Sequence, residues 1–189
     1  MSLSGKIIML DPGHGGESPS GSICADYNYG TAGALSGDEK DSVLSIAFKL
    51  KTLLEQNGAS VYMTRQSDRA ICLPSRSYAA NVLNPDAFIS LHHNGGDSSV
   101  SGISAHYYKN IDKRLAQCLY PEIQSATRLN LYRNGLVYQN LHVCREVNAP
   151  SCLVELGFMS NSNDDNFIST DVGKAKFAIG IVNGLKAYF

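Results

Sequence analysis

The chain has 189 residues, enough for one domain whose core needs no disulfide staples. Its 43% hydrophobic and 17% charged content is ordinary for a soluble globular protein. A formal net charge of -1, with lysines and arginines scattered, leaves no electrostatic case for nucleic acid or an anionic membrane surface, and no apolar run approaches a membrane span of roughly 20 residues.

The start, Met1-Ser2-Leu3-Ser4-Gly5, has no signal-peptide pattern. It reads as a tag or disordered lead-in over 1–5, with the domain running over 6–189. An apolar run over 6–10 predicts the first strand, stopped by Asp11-Pro12-Gly13 because proline cannot donate to a ladder. His14 follows between glycines, an imidazole held at a strand's carboxyl end, where open α/β sheets place their sites. A polar, glycine-rich stretch over 17–36 carries Tyr27 and Tyr29, and a loop of that length is functional or mobile. Val43, Leu44, Ala47, Leu50, Leu53 and Leu54 then recur at helical spacing, with Ser36 or Asp38 as cap and Asn57-Gly58 as stop.

A short strand is expected over 60–64, a short helix over 74–83, a turn at Asn84-Pro85-Asp86 and a strand over 87–92. A polar loop over 95–101 and a strand over 103–108 come next. Helical periodicity over 112–127 contains Pro121, which predicts a kink or break. Residues 136–147 read as extended or irregular, 151–156 as a short buried strand and 160–166 as a polar loop. A closing helix covers 171–188. Alternating strands and helices give an α/β class with a mostly parallel sheet. The five cysteines are odd in number and form no C-x-x-C clip, so they are expected as buried, reduced thiols from a reducing compartment.

Three strand ends carry chemistry. His14 is the first. The second is Ser90-Leu91-His92-His93-Asn94, where alternation makes His92 and His93 point opposite ways unless the strand has already ended. The third is Glu155 in Leu153-Val154-Glu155-Leu156-Gly157-Phe158, a carboxylate that is costly to bury unless it is paired or works on something. Glu39 sits in an acidic first helical turn, where simple dipole complementation is a sufficient reason for it. Taken together, two histidines and a glutamate on separate loops form a common zinc set, with a second carboxylate as general base.

The ordered set Leu10-Asp11-Pro12-Gly13-His14-Gly15-Gly16, Glu39-Lys40-Asp41, Thr64-Arg65 with Asp68 and Arg76, Ala80-Asn81, Ser90 to Asn94, and 150–161 resembles the zinc-dependent N-acetylmuramoyl-L-alanine amidases of the type-3 cell-wall family. The resemblance spans nearly the whole chain. It implies a twisted, mostly parallel sheet of about six strands with helices on both faces. It implies Zn2+ held by His14, Glu39 and His92, with Glu155 as the catalytic carboxylate, and it selects His92 over His93. The implied reaction is hydrolysis of the amide between the lactyl group of N-acetylmuramic acid and L-alanine of the peptidoglycan stem peptide. The implied partner is peptidoglycan, without nucleic acid or membrane insertion, and the expected state is a monomer. The expected place of action is the bacterial wall, as a secreted autolysin or as an endolysin released at lysis.

The stretch between His14 and Glu39 is longer than the family's, with the extra residues over 20–30, and it is expected to overhang the groove. His106 and His142 read as hydrogen-bonded structural residues, and Arg65 and Arg76 as ion-pair partners with Asp68 the nearest acid. Competing readings are a zinc peptidase or deacetylase on another wall amide, a cysteine amidohydrolase using Cys152 or Cys144 with His142, and a wall-binding module without catalysis.

Overall fold

β1 (Ile7–Pro12) lies inside a six-stranded sheet, and a computed structural model describes that sheet and the rest of the chain over residues 2–16 and 29–189. The remaining elements follow in order: β2 (Ala32–Gly33), β3 (Gly37–Asp38), α1 (Glu39–Gln56), β4 (Ser60–Met63), α2 (Leu73–Leu83) and β5 (Ala87–Asn94). Then come β6 (Ile103–Tyr107), α3 (Asn110–Thr127), β7 (Leu131–Tyr138), α4 (His142–Glu146), β8 (Ser151–Phe158), α5 (Ser162–Ser169) and α6 (Asp171–Tyr188). The strand order is β4-β1-β5-β8-β6-β7, with β2 and β3 as a separate antiparallel pair. β4, β1, β5 and β8 run parallel; β6 is antiparallel to β8, and β7 is parallel to β6.

Period-two alternation sends Ile8, Leu10, Ile89, Leu91, Val154 and Leu156 to one face, into the larger core with the apolar stripes of α1, α3 and α6. Met9, Phe88 and Leu153 point the other way, into a smaller core with α2 and α4. Helices therefore cover both faces, as expected. On α6, Gly180 lets α3 come close, since a Cβ there would lie 2.6 Å from the Ile123 Cα. Leu3 is fully buried, and its N–H bonds the Asn57 carbonyl, so this residue of the 1–5 lead-in packs into the core.

Several expectations need correction. Pro121 does not break α3, which runs on through it; Pro121 and Gln117, the residue whose carbonyl loses its helical partner, both lie on the exposed face. The stretch read as a polar loop contains α5. Asn161 caps it by accepting from the N–H groups of Asn163 and Asp164. Its acids are acceptors rather than loop polarity. Asp164 takes the N–H groups of Phe158 and Gly102, while Asp165 takes those of Leu35 and Ser36. The irregular stretch over 136–147 resolves into the end of β7 and α4, so His142 opens a helix. Cys118, Cys144 and Cys152 are free thiols, but Cys72 is disulfide-bonded, which departs from the all-reduced expectation. The insertion read over 20–30 lies outside the described residues except for Tyr29 and Gly30.

Candidate active site

β1 ends where its neighbour β4 has already stopped, with the Leu10 carbonyl taking the last bond from Thr64 N–H. Pro12 is tolerated there because its missing donor faces that vacated edge, while Gly13 N–H continues to Leu91 on the β5 side. The turn that follows puts His14 itself in the left-handed region at φ 59°, a conformation costing about 1–2 kcal/mol for a side-chain-bearing residue. Two buried guanidinium groups hold it. Arg65 donates to the carbonyls of Pro12 (3.0 Å) and Gly13 (2.8 Å), and Arg76 to those of Pro12 (2.8 Å) and His14 (2.7 Å). Arg76 also pairs with buried Asp11 at 2.7 Å. Asp68 instead serves Lys40 at 2.9 Å and Gly16 N–H, so the expected arginine–Asp68 pairs do not form. Burial, with Arg76 nearby, pushes Arg65 down to about 10. Burial opposes the Asp11 charge, yet Arg76, Thr64 and Ser90 hold its carboxyl below the usual range. This bracing was not legible from sequence, where the arginines carried no sign of the carbonyls they serve.

The turn delivers His14 Nε2 to within 3.1 Å of His92 Nδ1 and 3.1 Å of Glu39 Oε1, and His92 Nδ1 lies 3.0 Å from the same Glu39 oxygen. Gly13 makes room for this: a Cβ there would lie 2.2 Å from His92 Cε1. Glu39 comes from the first turn of α1 and is fixed by Thr31 N–H on Oε2 (2.8 Å) and His93 N–H on Oε1 (2.9 Å). Burial opposes its charge, but hydrogen bonds and charge from the two histidines hold the Glu39 carboxyl well below the ordinary range. Two donors each about 2.0–2.1 Å from one tetrahedral ion sit roughly 3.3 Å apart, so three near-equal separations around 3 Å suit one small N/O-ligated cation. His14, Glu39 and His92 can hold a metal ion, and they are the one such group among the described residues.

Strand alternation separates the two adjacent histidines as expected. His93 is buried on the α1 side, its Nδ1–H donating to Leu156 O (2.8 Å) and its Nε2 accepting from Ser42 (3.0 Å). Burial pushes it down to about 4. Glu155 sits in register between His92 and Ser104 on the face that carries the cluster. Its Oε2 is buried and has no hydrogen-bond partner among the described residues. Burial, and then the Glu39 charge, push Glu155 up to about 8. A carboxyl kept this way, with one oxygen unspent, is equipped to hold and release a proton.

Beside the cluster lies a cavity of about 270 Å³, floored by Leu73, Leu141, Val143 and Leu153 and including His142. His106 takes Ser104 Oγ at Nε2 (2.9 Å) and donates from Nδ1 to Gln139 (2.7 Å), which fits the structural role expected of it. Thiol chemistry finds no support. Cys152 faces the large core, away from Glu155, and burial raises Cys144 to about 12 and Cys152 well above its ordinary value.

Comparison with known proteins follows the same lines. The chain matches the family described as N-acetylmuramoyl-L-alanine amidase over residues 8–187. It is 36% identical over 188 residues to a protein of Staphylococcus epidermidis named probable cell wall amidase LytH, covering 99% of this chain but 60% of that protein, so the chain spans well under two thirds of such relatives. Among solved structures, the catalytic domain of CwlV, an N-acetylmuramoyl-L-alanine amidase from Bacillus (Paenibacillus) polymyxa var. colistinus, aligns with a TM-score of 0.86 at 29% identity, covering 97% of both chains. An N-acetylmuramoyl-L-alanine amidase from Clostridium difficile 630 gives 0.86 at 31% identity, covering 97% of this chain and 96% of that one. With its strand ends, its histidine–glutamate cluster and a match across nearly its full length, the chain belongs to the N-acetylmuramoyl-L-alanine amidase family.

Proposed function

We propose that this chain is a zinc-dependent hydrolase of the amide joining the lactyl group of N-acetylmuramic acid to L-alanine in peptidoglycan, acting at the bacterial wall. The observation that carries the reading is Glu155 Oε2, a buried carboxyl oxygen with no partner among the described residues, on a strand that pairs directly with β5, Glu155 opposite His92. His14, Glu39 and His92 would hold the zinc ion, and two imidazoles with one carboxylate leave room for water in a four-coordinate site. When bound, zinc supplies Lewis acidity toward a carbonyl oxygen and makes water acidic enough to attack near neutral pH.

The protein's own part is positional and protonic. Arg65 and Arg76 lock the His14 turn, so the imidazole needs little reorganisation when a metal or substrate arrives. Glu155 takes a proton from the attacking water at its unspent oxygen and returns it to the nitrogen of the leaving amine. Its raised affinity for a proton favours the first transfer, and a cation at the cluster would offset the Glu39 charge, keep the carboxyl ionised beforehand and ease the second. The site lies open along the cavity, as a polymeric substrate requires.

The test is digestion of purified peptidoglycan with the zinc-loaded protein, with and without a chelator and a thiol alkylator, scoring new amino termini and reducing sugars. Chelator-sensitive release of L-alanine amino termini without reducing sugars is expected. Loss of activity to the alkylator alone would overturn the metal reading, and amino termini of another residue would favour a zinc peptidase.

A further inference from the structure

His93 is the second histidine of its pair, and neither the metal cluster nor the proposed proton transfer uses its side chain. The ring points away from both, into the large core, edge-on to Phe177 with centroids 6.3 Å apart, and the residue is 4% exposed. An imidazole costs more to bury there than an apolar side chain unless its two nitrogens are spent. Both are. The Leu156 carbonyl can only accept, so Nδ1 carries the proton in the bond between them (2.8 Å). The neutral ring then leaves Nε2 as an acceptor, and the Ser42 hydroxyl fills it at 3.0 Å. The backbone N–H of the same residue holds Glu39 Oε1 at 2.9 Å.

These partners make His93 a brace across three elements. Ser42 follows Glu39 by one turn on the same side of α1, so the ring grips the helical turn that delivers Glu39 to the cluster. Leu156 follows Glu155 on β8, so the other end of the ring grips the backbone beside the proton carrier. The brace stands where the sheet is least regular. β5 and β8 pair in parallel register up to His92 and Glu155, and pairing resumes at Asn94 and Phe158. β8 takes three residue steps there against two on β5, with Gly157 at φ 92° in the extra length. His93 lies inside that break, and its imidazole supplies a bond from β5 to β8 one residue past Glu155. We infer that His93 is a positioning residue: through Leu156 and Ser42 it fixes the Glu155 carboxyl relative to the Glu39 turn, and so sets the spacing of proton carrier and metal cluster. A core histidine with no such part would contribute to folding alone; this one contributes to kcat. The inference rests on the amidase reading above.

Steady-state kinetics of the zinc-loaded wild type, His93→Leu, His93→Asn and His93→Gln on soluble, uncrosslinked peptidoglycan strands test it. An asparagine amide nitrogen takes the place of Nδ1 and keeps the Leu156 bond, whereas a glutamine amide takes the place of Nε2 and keeps only the Ser42 bond. Corrected for the folded fraction, kcat should fall about 100-fold in His93→Leu and His93→Gln, the loss expected for a reacting group misplaced by about 1 Å, and should return to within about threefold of wild type in His93→Asn. KM should stay within about threefold throughout, since no contact with substrate is removed. Zinc affinity, read by competition with a chelator, should also stay within about threefold, because the backbone of residue 93 still holds Glu39 in every variant. Equal kcat in all forms overturns the inference. A fall in kcat matched by a fall in zinc affinity overturns it too, as does a His93→Asn protein that is no better than His93→Gln or fails to fold with the Leu156 bond available. A zinc-loaded wild type that releases no L-alanine amino termini overturns the amidase reading itself.

Discussion

Arg76→Ala is the substitution that most directly probes how the His14 turn is held. In the wild type, Arg76 is the only arginine or lysine in contact with buried Asp11 among the described residues, and it also carries the carbonyls of Pro12, His14 and Ile71. Truncation leaves a buried carboxylate with hydrogen bonds from Thr64 and Ser90 but no countercharge. Stranding one member of a buried pair costs about 3–5 kcal/mol. The lost carbonyl bonds are worth about 1 kcal/mol each but are not additive with that figure. A loss of about 4 kcal/mol is therefore expected, a large share of the roughly 5–15 kcal/mol that holds a domain together. At about 2–4 °C per kcal/mol for a chain of this size, Tm should fall by roughly 8–16 °C.

The loss should also depend on pH. Arg76 holds the folded Asp11 carboxyl below its ordinary value of 3.8, so the stabilisation is fully present above that value and is lost as pH falls through the folded one. The gap between wild type and Arg76→Ala should thus be widest near neutrality and narrow in acid. Urea unfolding at several pH values measures both. A loss under about 1 kcal/mol at pH 7, or a gap that widens in acid, would refute the account of the pair. Zinc affinity of the variant, read by competition with a chelator, should fall as well, because His14 loses the donor on its own carbonyl.

Glu155→Gln should retain zinc and fold but lose turnover by about 10²–10⁴-fold, whereas His14→Ala should lose zinc too; a turning-over Glu155→Gln protein would displace Glu155 as the proton carrier. Gly13→Ala should weaken zinc binding by about 10–100-fold in equilibrium dialysis, since its Cβ would sit 2.2 Å from a His92 ring atom. In the fold, burial excludes charge from His106 and pushes it from 6.5 to about 4, so the unfolded chain takes up a proton that the fold refuses. His106 should therefore contribute a loss of about 3 kcal/mol as pH drops from 6.5 to 4, and His106→Asn should remove that share in denaturant titrations while the similar share of buried His93 persists. Gly180→Ala should destabilise despite its better helix propensity, because the new Cβ meets Ile123 backbone at 2.6 Å; a raised Tm would show that α3 and α6 approach less closely.

How much of this was legible beforehand follows from what kind of interaction each feature uses. Strands and long helices announce themselves because burial imposes a period, and β1, β5, β8, α1 and α6 fall near where their apolar residues put them. The divergence of His92 and His93 was legible for the same reason. α5 was not, because its residues are polar for a reason that lies elsewhere in the chain: Asp165 anchors Leu35 and Ser36, and Asp164 anchors Gly102. Pro121 misled because a proline on the exposed face of a long, well-packed helix costs a bond without ending the helix. The partners of Arg65 and Arg76 could not be read at all, since a carbonyl is present at every residue and leaves no mark in a sequence.

The placement of the cluster has a topological cause. From β1 the chain crosses through α1 to β4 on one side, and from β4 it returns through α2 to β5 on β1's other side. The connections leaving β1 and β5 therefore part company, and a crevice opens beyond their carboxyl ends, where such sheets bind ligands. His14 leaves β1 into that crevice, and His92 lies near the carboxyl end of β5 beside it. Glu39 reaches the same point because α1 begins there, with its N-terminal turn bonded to Thr31 and to the backbone of His93. Glu155 lies one strand further along, in direct register with His92. His92 and Glu155, on adjacent parallel strands, keep their spacing through backbone hydrogen bonds, whereas His14 is held by the arginine-braced turn after β1. Substitutions in the loops over the groove should therefore alter which substrates are accepted before they disturb the chemistry, whereas shifting the register of β5 against β8 should abolish turnover even with all four side chains intact.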